Sequence, residues 1–365
     1  MDTVTQIALG ATIGALFQKK LGKRALFFGG FCGWFPDIDV LFHSLQSWEG
    51  LVEHRGLTHS VILLPLAAPF LGGGAYFLNE RYPPKRPRKK KQRKSYQRPT
   101  SARRERISYW TWIHLAFWSL ITHPILDSFT SYGTQLLYPL NDTRYATDAI
   151  AIIDFIYTLP LIVACVLCFK HKPPEEEDPP PKSTPFRLGQ IALTFSTIYL
   201  LAAQIWSWSV VNQARAQFQQ IGFESTRIRA NPPIAFSFLR RIIAQDKRGN
   251  FMTANYSLFS ERPPKPIFKE RTVNTSTEYA LKTREGKIFF WFANEYVLAE
   301  INGAELKLID ARYGLFVNPW WSPFQATASI QPDGTTTPLQ LKQSRDDVAI
   351  LSELKAGWSL MLGNN

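Results

Sequence analysis

The chain has 365 residues, of which 45% are hydrophobic, and this length leaves room for two domains. Its three cysteines all lie in apolar runs, which favours packing inside helices over a thiolate zinc site and implies no disulfide framework. The formal net charge of +13 is local, because thirteen Lys or Arg and two Glu between Glu80 and Arg106 supply +11 of it.

Apolar segments dominate the first 211 residues. The first two are short for a membrane span, which needs about 20 residues. The N-terminus lacks the basic region of a signal peptide, so we expect it to remain in the mature fold. The pattern predicts a mainly α fold, with a multi-pass helical membrane domain over residues 1–211. The segments are Thr3 to Phe17, Ala25 to Phe35, Val61 to Leu78, Tyr109 to Leu126, Ala149 to Phe169 and Leu188 to Val211.

The basic stretch, residues 79–108, lies between two apolar segments. Cytoplasmic loops of membrane proteins collect Lys and Arg, so we interpret it as a cytoplasmic loop and do not expect nucleic acid binding. This topology places residues 212–365 outside the cytoplasm. It also brings a set of ligand-type side chains to the same outer face, although they are scattered over 90 positions: Asp37, Asp39, His54, His59, His123 and Asp127.

The C-terminal part changes character. The segments Lys287-Ile-Phe-Phe-Trp-Phe and Glu305-Leu-Lys-Leu-Ile-Asp have strand composition, and Gly-containing turn signals recur, among them Asn302-Gly303. We expect residues 212–365 to form a soluble, strand-rich domain of the β or α+β class.

Histidine and aspartate together suit a divalent metal such as zinc, with manganese or iron as alternatives. Asp37 and Asp39 follow Pro36, and His123 and Asp127 are spaced to share one helical face. Pro124 suggests that a helix restarts there. Six candidate ligands are enough for one or two ions. The alternative interpretation of each pair is that its side chains are solvated or cap a helix and bind no metal.

Other polar residues are candidates for the chemistry itself. Arg55 can bind a phosphate or a developing oxyanion, or contact a lipid headgroup. Asp148 and Asp154 open an apolar segment, and ionisable groups at membrane depth are functional candidates. A salt bridge between Asp148 and Arg144 is an equally good structural interpretation.

Several short motifs carry a family resemblance over about residues 1 to 170. They are Met1-Asp-Thr-Val-Thr-Gln, Pro36-Asp-Ile-Asp, His54-Arg-Gly-Leu-Thr-His-Ser, His123-Pro-Ile-Leu-Asp, Ser131-Tyr-Gly-Thr and Ile152-Ile-Asp-Phe-Ile-Tyr. In this combination the chain resembles the YdjM-type family of bacterial inner-membrane, metal-dependent hydrolases. The resemblance implies a helical membrane domain in which the six His and Asp residues bind metal, and it suggests roles for Asp148 and Asp154. The basic loop is then an insertion, and Gln6 stands where some relatives have His.

These observations favour a membrane hydrolase in which metal-activated water acts on a phosphoester, or on another bond, of a lipid or envelope substrate. The expected partners are membrane lipids and that substrate. The alternatives are a divalent-metal transporter and a non-catalytic scaffold with a structural metal. Transport sites usually lie near the middle of the membrane, whereas the candidate ligands lie at helix ends, which argues against a transporter. The sequence does not indicate an oligomeric state.

Overall fold

A computed structural model describes residues 1–42, 44, 46–83, 107–171, 184–342 and 349–363. Most of the predicted basic loop lies outside these residues. The N-terminal part is helical, with two 3₁₀ turns at Phe35–Leu41 and Leu57–His59. Its helices are α1 (Thr3–Leu21), α2 (Arg24–Trp34), α3 (Trp48–Glu53), α4 (Leu64–Arg81), α5 (Tyr109–Ser128), α6 (Phe155–Lys170) and α7 (Thr184–Gln220).

Helix α1 is the centre of the helical part, because α2, α5, α6 and α7 all pack against it. Its contact with α2 is very close. A Cβ atom at Gly33 would lie 2.4 Å from the carbonyl oxygen of Gln6, so only glycine allows the two backbones to meet. The core beside this contact includes Leu9, Trp112 and Leu161, which are all buried.

The prediction of a multi-pass helical membrane domain is wrong. Among the described residues, only α7, with 37 residues, is by itself long and apolar enough to cross a membrane. Residues Trp48–His59 and Leu64–Arg81 meet this condition only as a pair bent by 66°. Most of the predicted spans are instead helices of at most 20 residues that do not meet this condition alone.

Two helices show the physical reason. Helix α6 begins only at Phe155 because Asp154 caps it; its 16 residues reach about 24 Å, which is short of the roughly 30 Å hydrocarbon layer. Helix α5 has 20 residues, but it includes His114, His123 and Asp127. Apolar periodicity does not distinguish such buried helices from membrane spans.

The C-terminal part is strand-rich and contains two antiparallel four-stranded sheets. The turn at Gly303, with φ of 60°, joins two strands of the second sheet, as its Asn-Gly signal predicts. The first sheet has β1 (Ser225–Asn231), β2 (Leu239–Asp246), β3 (Phe251–Ser257) and β4 (Ile267–Lys269). The second has β5 (Val297–Asn302), β6 (Glu305–Asp310), β7 (Gln325–Ser329) and β8 (Gln340–Lys342).

Three helices complete this part: α8 (Thr275–Lys282), α9 (Arg284–Phe292) and α10 (Ile350–Met361). The strand expected at Lys287 is α9 instead. The Thr283 side chain accepts from the backbone N–H of Gly286 and caps this helix. Phe289 and Phe292 then fall on one buried face, so helical periodicity outweighs strand composition here.

The two parts of the chain are joined by α7 and by polar contacts. Helix α7 continues past the predicted boundary at residue 211 and packs Ala214 and Phe218 against the first sheet. At the junction, Arg312 donates to the backbone carbonyls of Ser131 and Tyr132. The strand-rich part therefore contacts the loop that follows α5. The side of the membrane on which it lies stays a prediction.

Candidate metal centre

Four buried side chains from three separate segments turn their polar atoms toward one another. They are Asp37, His59, His123 and Asp127, and one ligand atom from each lies within 4.8 Å of the others. The side chains of His59, His123 and Asp127 are fully buried, whereas that of Asp37 is 11% exposed. The group, called the four-residue group below, therefore opens to solvent on the Asp37 side.

The local folding of each segment explains this convergence. Pro36 occupies the first turn of the 3₁₀ turn that carries Asp37, a position where its missing N–H costs nothing. Helix α5 runs through Pro124 without the predicted restart. His123 and Asp127 are consequently one helical turn apart, with His123 Nε2 3.8 Å from Asp127 Oδ2.

Several of the distances within the group are close to the edges of a tetrahedron around zinc. Zinc–nitrogen and zinc–oxygen bonds of about 2.0–2.2 Å give tetrahedral edges of roughly 3.3–3.6 Å. Asp37 Oδ1 lies 3.4 Å from the Nε2 atoms of both His59 and His123, and Asp127 Oδ2 lies 3.5 Å from His59 Nε2. The two Nε2 atoms are closer, at 3.1 Å. All four atoms lie within 4.8 Å of one another, so they are close enough to surround a single ion.

The tautomer of His123 is fixed by its other ring nitrogen. His123 Nδ1 lies 2.6 Å from the backbone carbonyl oxygen of Gly33. A carbonyl only accepts hydrogen bonds, so Nδ1 carries the proton. The neutral ring therefore presents the lone pair of Nε2 to the group, which is the state in which imidazole binds metal.

The same reasoning applies to His59. The Thr58 hydroxyl donates its one proton to Asp39 Oδ2 at 3.0 Å, so it accepts from His59 Nδ1, also at 3.0 Å. His59 Nε2 is then unprotonated in the neutral ring. Two imidazole lone pairs and two carboxylate oxygens thus face one another, and a positive charge is needed between them.

A proton on a ring nitrogen is one such charge, but it would create a buried imidazolium, which burial disfavours. The Asp37 carboxyl adds a further acceptor oxygen, which lies 3.4 Å from the Nε2 atoms of both His59 and His123. A divalent cation satisfies all four groups at once, and the residues present fit one.

Asp127 keeps one oxygen for such a cation. Its Oδ1 accepts from Gln6 Nε2 at 2.8 Å and from the amine of Met1. Arg55 Nε lies 2.9 Å from Oδ2, but the pair is not aligned as a hydrogen bond, and Oδ2 has no hydrogen-bond partner among the described residues. Gln6, which stands where some relatives have His, therefore orients Asp127.

Asp39 and His54 lie beside the group but are not members of it. Asp39 Oδ2 accepts from the backbone N–H of Arg55, and Asp39 Oδ1 lies 3.2 Å from His54 Nδ1. Burial raises the pKa of Asp39, but the His54 contact and other nearby groups lower it more, so the net pKa is below its usual value. In this arrangement Asp39 supports His59 through Thr58. Direct metal binding by Asp39 and His54 stays a prediction.

Arg55 is held against the group in a strained backbone conformation. Its φ is 61°, a region that non-glycine residues rarely adopt and that concentrates at functional sites. Its guanidinium lies 3.4 Å from the Thr130 hydroxyl and 4.8 Å from the ring centre of Tyr132. Tyr132 stands in the Ser131-Tyr-Gly-Thr motif, but no role was predicted for it from the sequence.

Asp148 and Asp154 have other partners and are not in the four-residue group. Asp148 forms a bidentate ion pair with Arg229, with two contacts of 2.7 Å. Asp154 caps α6 and accepts from Tyr199 and Ser237. Arg144, the suggested partner of Asp148, donates instead to backbone carbonyls and lies against Tyr132. A catalytic role for either aspartate stays a prediction.

Comparison with known proteins bears on the helical part. A family model described as YdjM inner membrane protein matches residues 1–216. Searches of curated proteins and of solved structures gave no match. The matched region is more than half of the chain and contains the whole four-residue group, so the predicted family is confirmed, and with it association with the membrane. The chain belongs to the YdjM inner membrane protein family.

Proposed function

We propose that this protein is a membrane-bound, metal-dependent hydrolase that acts on a phosphoester of a lipid or envelope substrate. One observation carries the proposal. Four buried acceptor atoms, two from imidazoles and two from carboxylates, lie within 4.8 Å of one another, and five of their six separations are 3.1 to 3.8 Å. Such a set is held together by a cation of the class formed by zinc, manganese and iron(II).

The supporting residues keep the ligands in place. The Gly33 carbonyl fixes the ring of His123, and the Thr58–Asp39 pair fixes that of His59. Carboxylates and carbonyls in this position set the tautomer and raise the basicity of a ligating histidine. A divalent cation bound there would polarise a water molecule and a substrate oxygen, which is the chemistry of hydrolysis.

Arg55 supports an anionic substrate. Its guanidinium contacts Asp127, a member of the group, and is buried there. A fixed cation beside the reacting centre stabilises the charge of a phosphoester and the further charge that develops during its cleavage. Asp37 faces the more open side of the group, so we expect substrate to approach from there.

A second function is favoured by the ligand count. Four protein ligands complete a tetrahedron around zinc, and closed tetrahedral sites are structural, whereas catalytic zinc keeps an open position. In that case the protein is a membrane scaffold. An ion that takes five or six ligands retains room for water in the same four-residue group.

The test compares two histidines of the same helix. Metal content of the purified protein is measured for the wild type, His123→Ala and His114→Ala, since His114 is exposed and outside the group. We expect stoichiometric metal in the wild type and His114→Ala, and its loss in His123→Ala. Hydrolysis of bis(p-nitrophenyl) phosphate should follow metal content.

Other results would decide against the proposal. Equal metal content in all three proteins would remove the four-residue group as the metal site. Bound metal with no hydrolysis, together with a four-coordinate spectrum without bound water, would identify the structural alternative.

A further inference from the structure

A long apolar groove runs between α1, α5 and α7, and none of its lining residues belongs to the four-residue group. Its volume is about 990 Å³, at the upper end of the range for small-molecule sites. Apart from two lysines, two threonines and a tyrosine, its lining is hydrophobic, and it includes Leu9, Ile13, Trp118 and Leu201. The groove therefore suits a long apolar ligand rather than a compact polar one.

One end of this groove is basic. Lys19 and Lys20 line it and are exposed, and within the described ranges neither forms an ion pair with a carboxylate. Gln18 donates to the carbonyl of Cys168, whose thiol lies 3.6 Å from the carbonyl oxygen of Pro185. The lysines are thus at the end of the groove where α7 begins.

The groove extends a considerable distance from this basic end. It follows α7 from Phe186 to Leu201, and the fifteen helical steps between these residues span about 22 Å. Helix α7 is also the helix that is long and apolar enough to cross a membrane. From Phe186 to Trp206 it rises about 30 Å, which equals the thickness of the hydrocarbon layer. The lysines then lie near the level of the lipid phosphates.

We propose that this groove binds one anionic phospholipid, with an acyl chain along α7 and the phosphate at Lys19 and Lys20. Basic pockets between membrane helices recognise anionic headgroups, and the apolar slot adds the burial of a chain. A zwitterionic lipid offers the same chain but lacks the net negative charge that complements Lys19 and Lys20.

This lipid is not the substrate of the four-residue group. Gln6 contacts Asp127, and Lys19 follows it thirteen residues further along α1, about 20 Å away. The bound phosphate is therefore remote from the candidate metal centre. The proposal goes beyond the hydrolase function and stands or fails independently of it.

The test uses the full chain, stripped of lipid in detergent and reloaded from mixed micelles of phosphatidylglycerol and phosphatidylcholine. Bound lipid is counted by native mass spectrometry. Thr197→Trp fills the groove, whereas Ile198→Trp places the same side chain at the next residue, which is exposed and outside the lining. We expect one phosphatidylglycerol per chain in the wild type and Ile198→Trp, and at least a tenfold lower occupancy in Thr197→Trp.

A second pair of variants tests the headgroup. The double variant Lys19→Glu/Lys20→Glu should lose the preference for phosphatidylglycerol over phosphatidylcholine. Lys23→Glu should keep it, because Lys23 lies over the Phe169 ring and outside the groove lining. Equal binding by the two tryptophan variants, or equal binding of the two lipids by the wild type, would overturn the proposal. Metal content serves as an independent readout and should not change in any of these proteins.

Discussion

Buried aspartates occur in two regions with opposite surroundings. At the junction with the strand-rich part, Asp148 receives two hydrogen bonds from Arg229, and Asp154 receives them from Tyr199 and Ser237. In the four-residue group, Asp37 and Asp127 face imidazole nitrogens that present lone pairs. In the first region each carboxylate is satisfied by the side chains around it, whereas in the second, although Met1 and Arg55 contact Asp127, the acceptors that face one another could hold a further cation. Burial of a carboxylate alone therefore does not identify a functional site, and the surplus of facing acceptors is the more informative feature.

The largest expected effect concerns the complete region. Arg229→Ala would leave Asp148 buried without its partner, and breaking a buried pair costs about 3–5 kcal/mol. The free energy of unfolding, measured by urea titration in detergent, should fall by this amount. Metal content should not change, because Arg229 does not contact the four-residue group.

An exposed pair of the same strand is the control for this variant. Arg227 and Glu295 form an ion pair in which the side chains are 42% and 45% exposed. Arg227→Ala should cost less than about 1 kcal/mol. If both arginine variants lose the same stability, burial does not set the strength of the Asp148 pair.

Metal removal should act on the incomplete region. A cation that binds only the folded state stabilises it by about 2.7 kcal/mol at 100 times its dissociation constant. EDTA should therefore lower the Tm of the wild type, and zinc should restore it. Asp37→Ala should show the same Tm in EDTA and in zinc, because it lacks one of the four ligands.

The Asp37→Ala variant also tests whether the facing acceptors of the four-residue group repel one another when metal is absent. In EDTA, Asp37→Ala should be at least as stable as the wild type, because the substitution removes one of the facing acceptors. A variant that is much less stable than the wild type in EDTA would show that protons or ordered donors already satisfy the group.

A smaller effect is expected from the supporting layer. Asp39→Asn keeps the size of the side chain but turns an amide N–H₂ toward donors, including the Thr58 hydroxyl. Loss of such support weakens metal binding about 10–100-fold. Competition with a chromophoric chelator would measure this dissociation constant. Asp246→Asn, in a remote β-turn, is the control, and complete loss of metal in Asp39→Asn would make Asp39 a ligand.

All four members of the four-residue group are among the six ligands predicted from the sequence, because their signals are local. The four-residue spacing of His123 and Asp127 and the short motif around His59 depend on a few neighbouring residues. The roles of Asp148 and Asp154 depend on distant partners, since Arg229 lies 81 residues from Asp148 and Ser237 lies 83 residues from Asp154. No local sequence pattern predicts such pairs.

The fold shows the same division. The Asn302-Gly303 turn and strand β6 follow from local residues. The predicted spans fail because apolar periodicity reports burial and not the medium in which a helix is buried. The short helices α2 and α6 pack against α1, and no local pattern shows such a contact.

The smallest effect is expected from substitutions at Asp154. This residue caps α6, and loss of an N-cap costs about 0.5–2 kcal/mol. Asp154→Ala should therefore lower the free energy of unfolding modestly. Asp154→Ser should recover part of the loss, because serine caps a helix but has one oxygen where aspartate also accepts from Tyr199 and Ser237. If Asp154→Ser restores stability but not hydrolysis, while metal content stays at the wild-type level, the carboxylate acts in the chemistry, and the separation of the two regions fails at this residue.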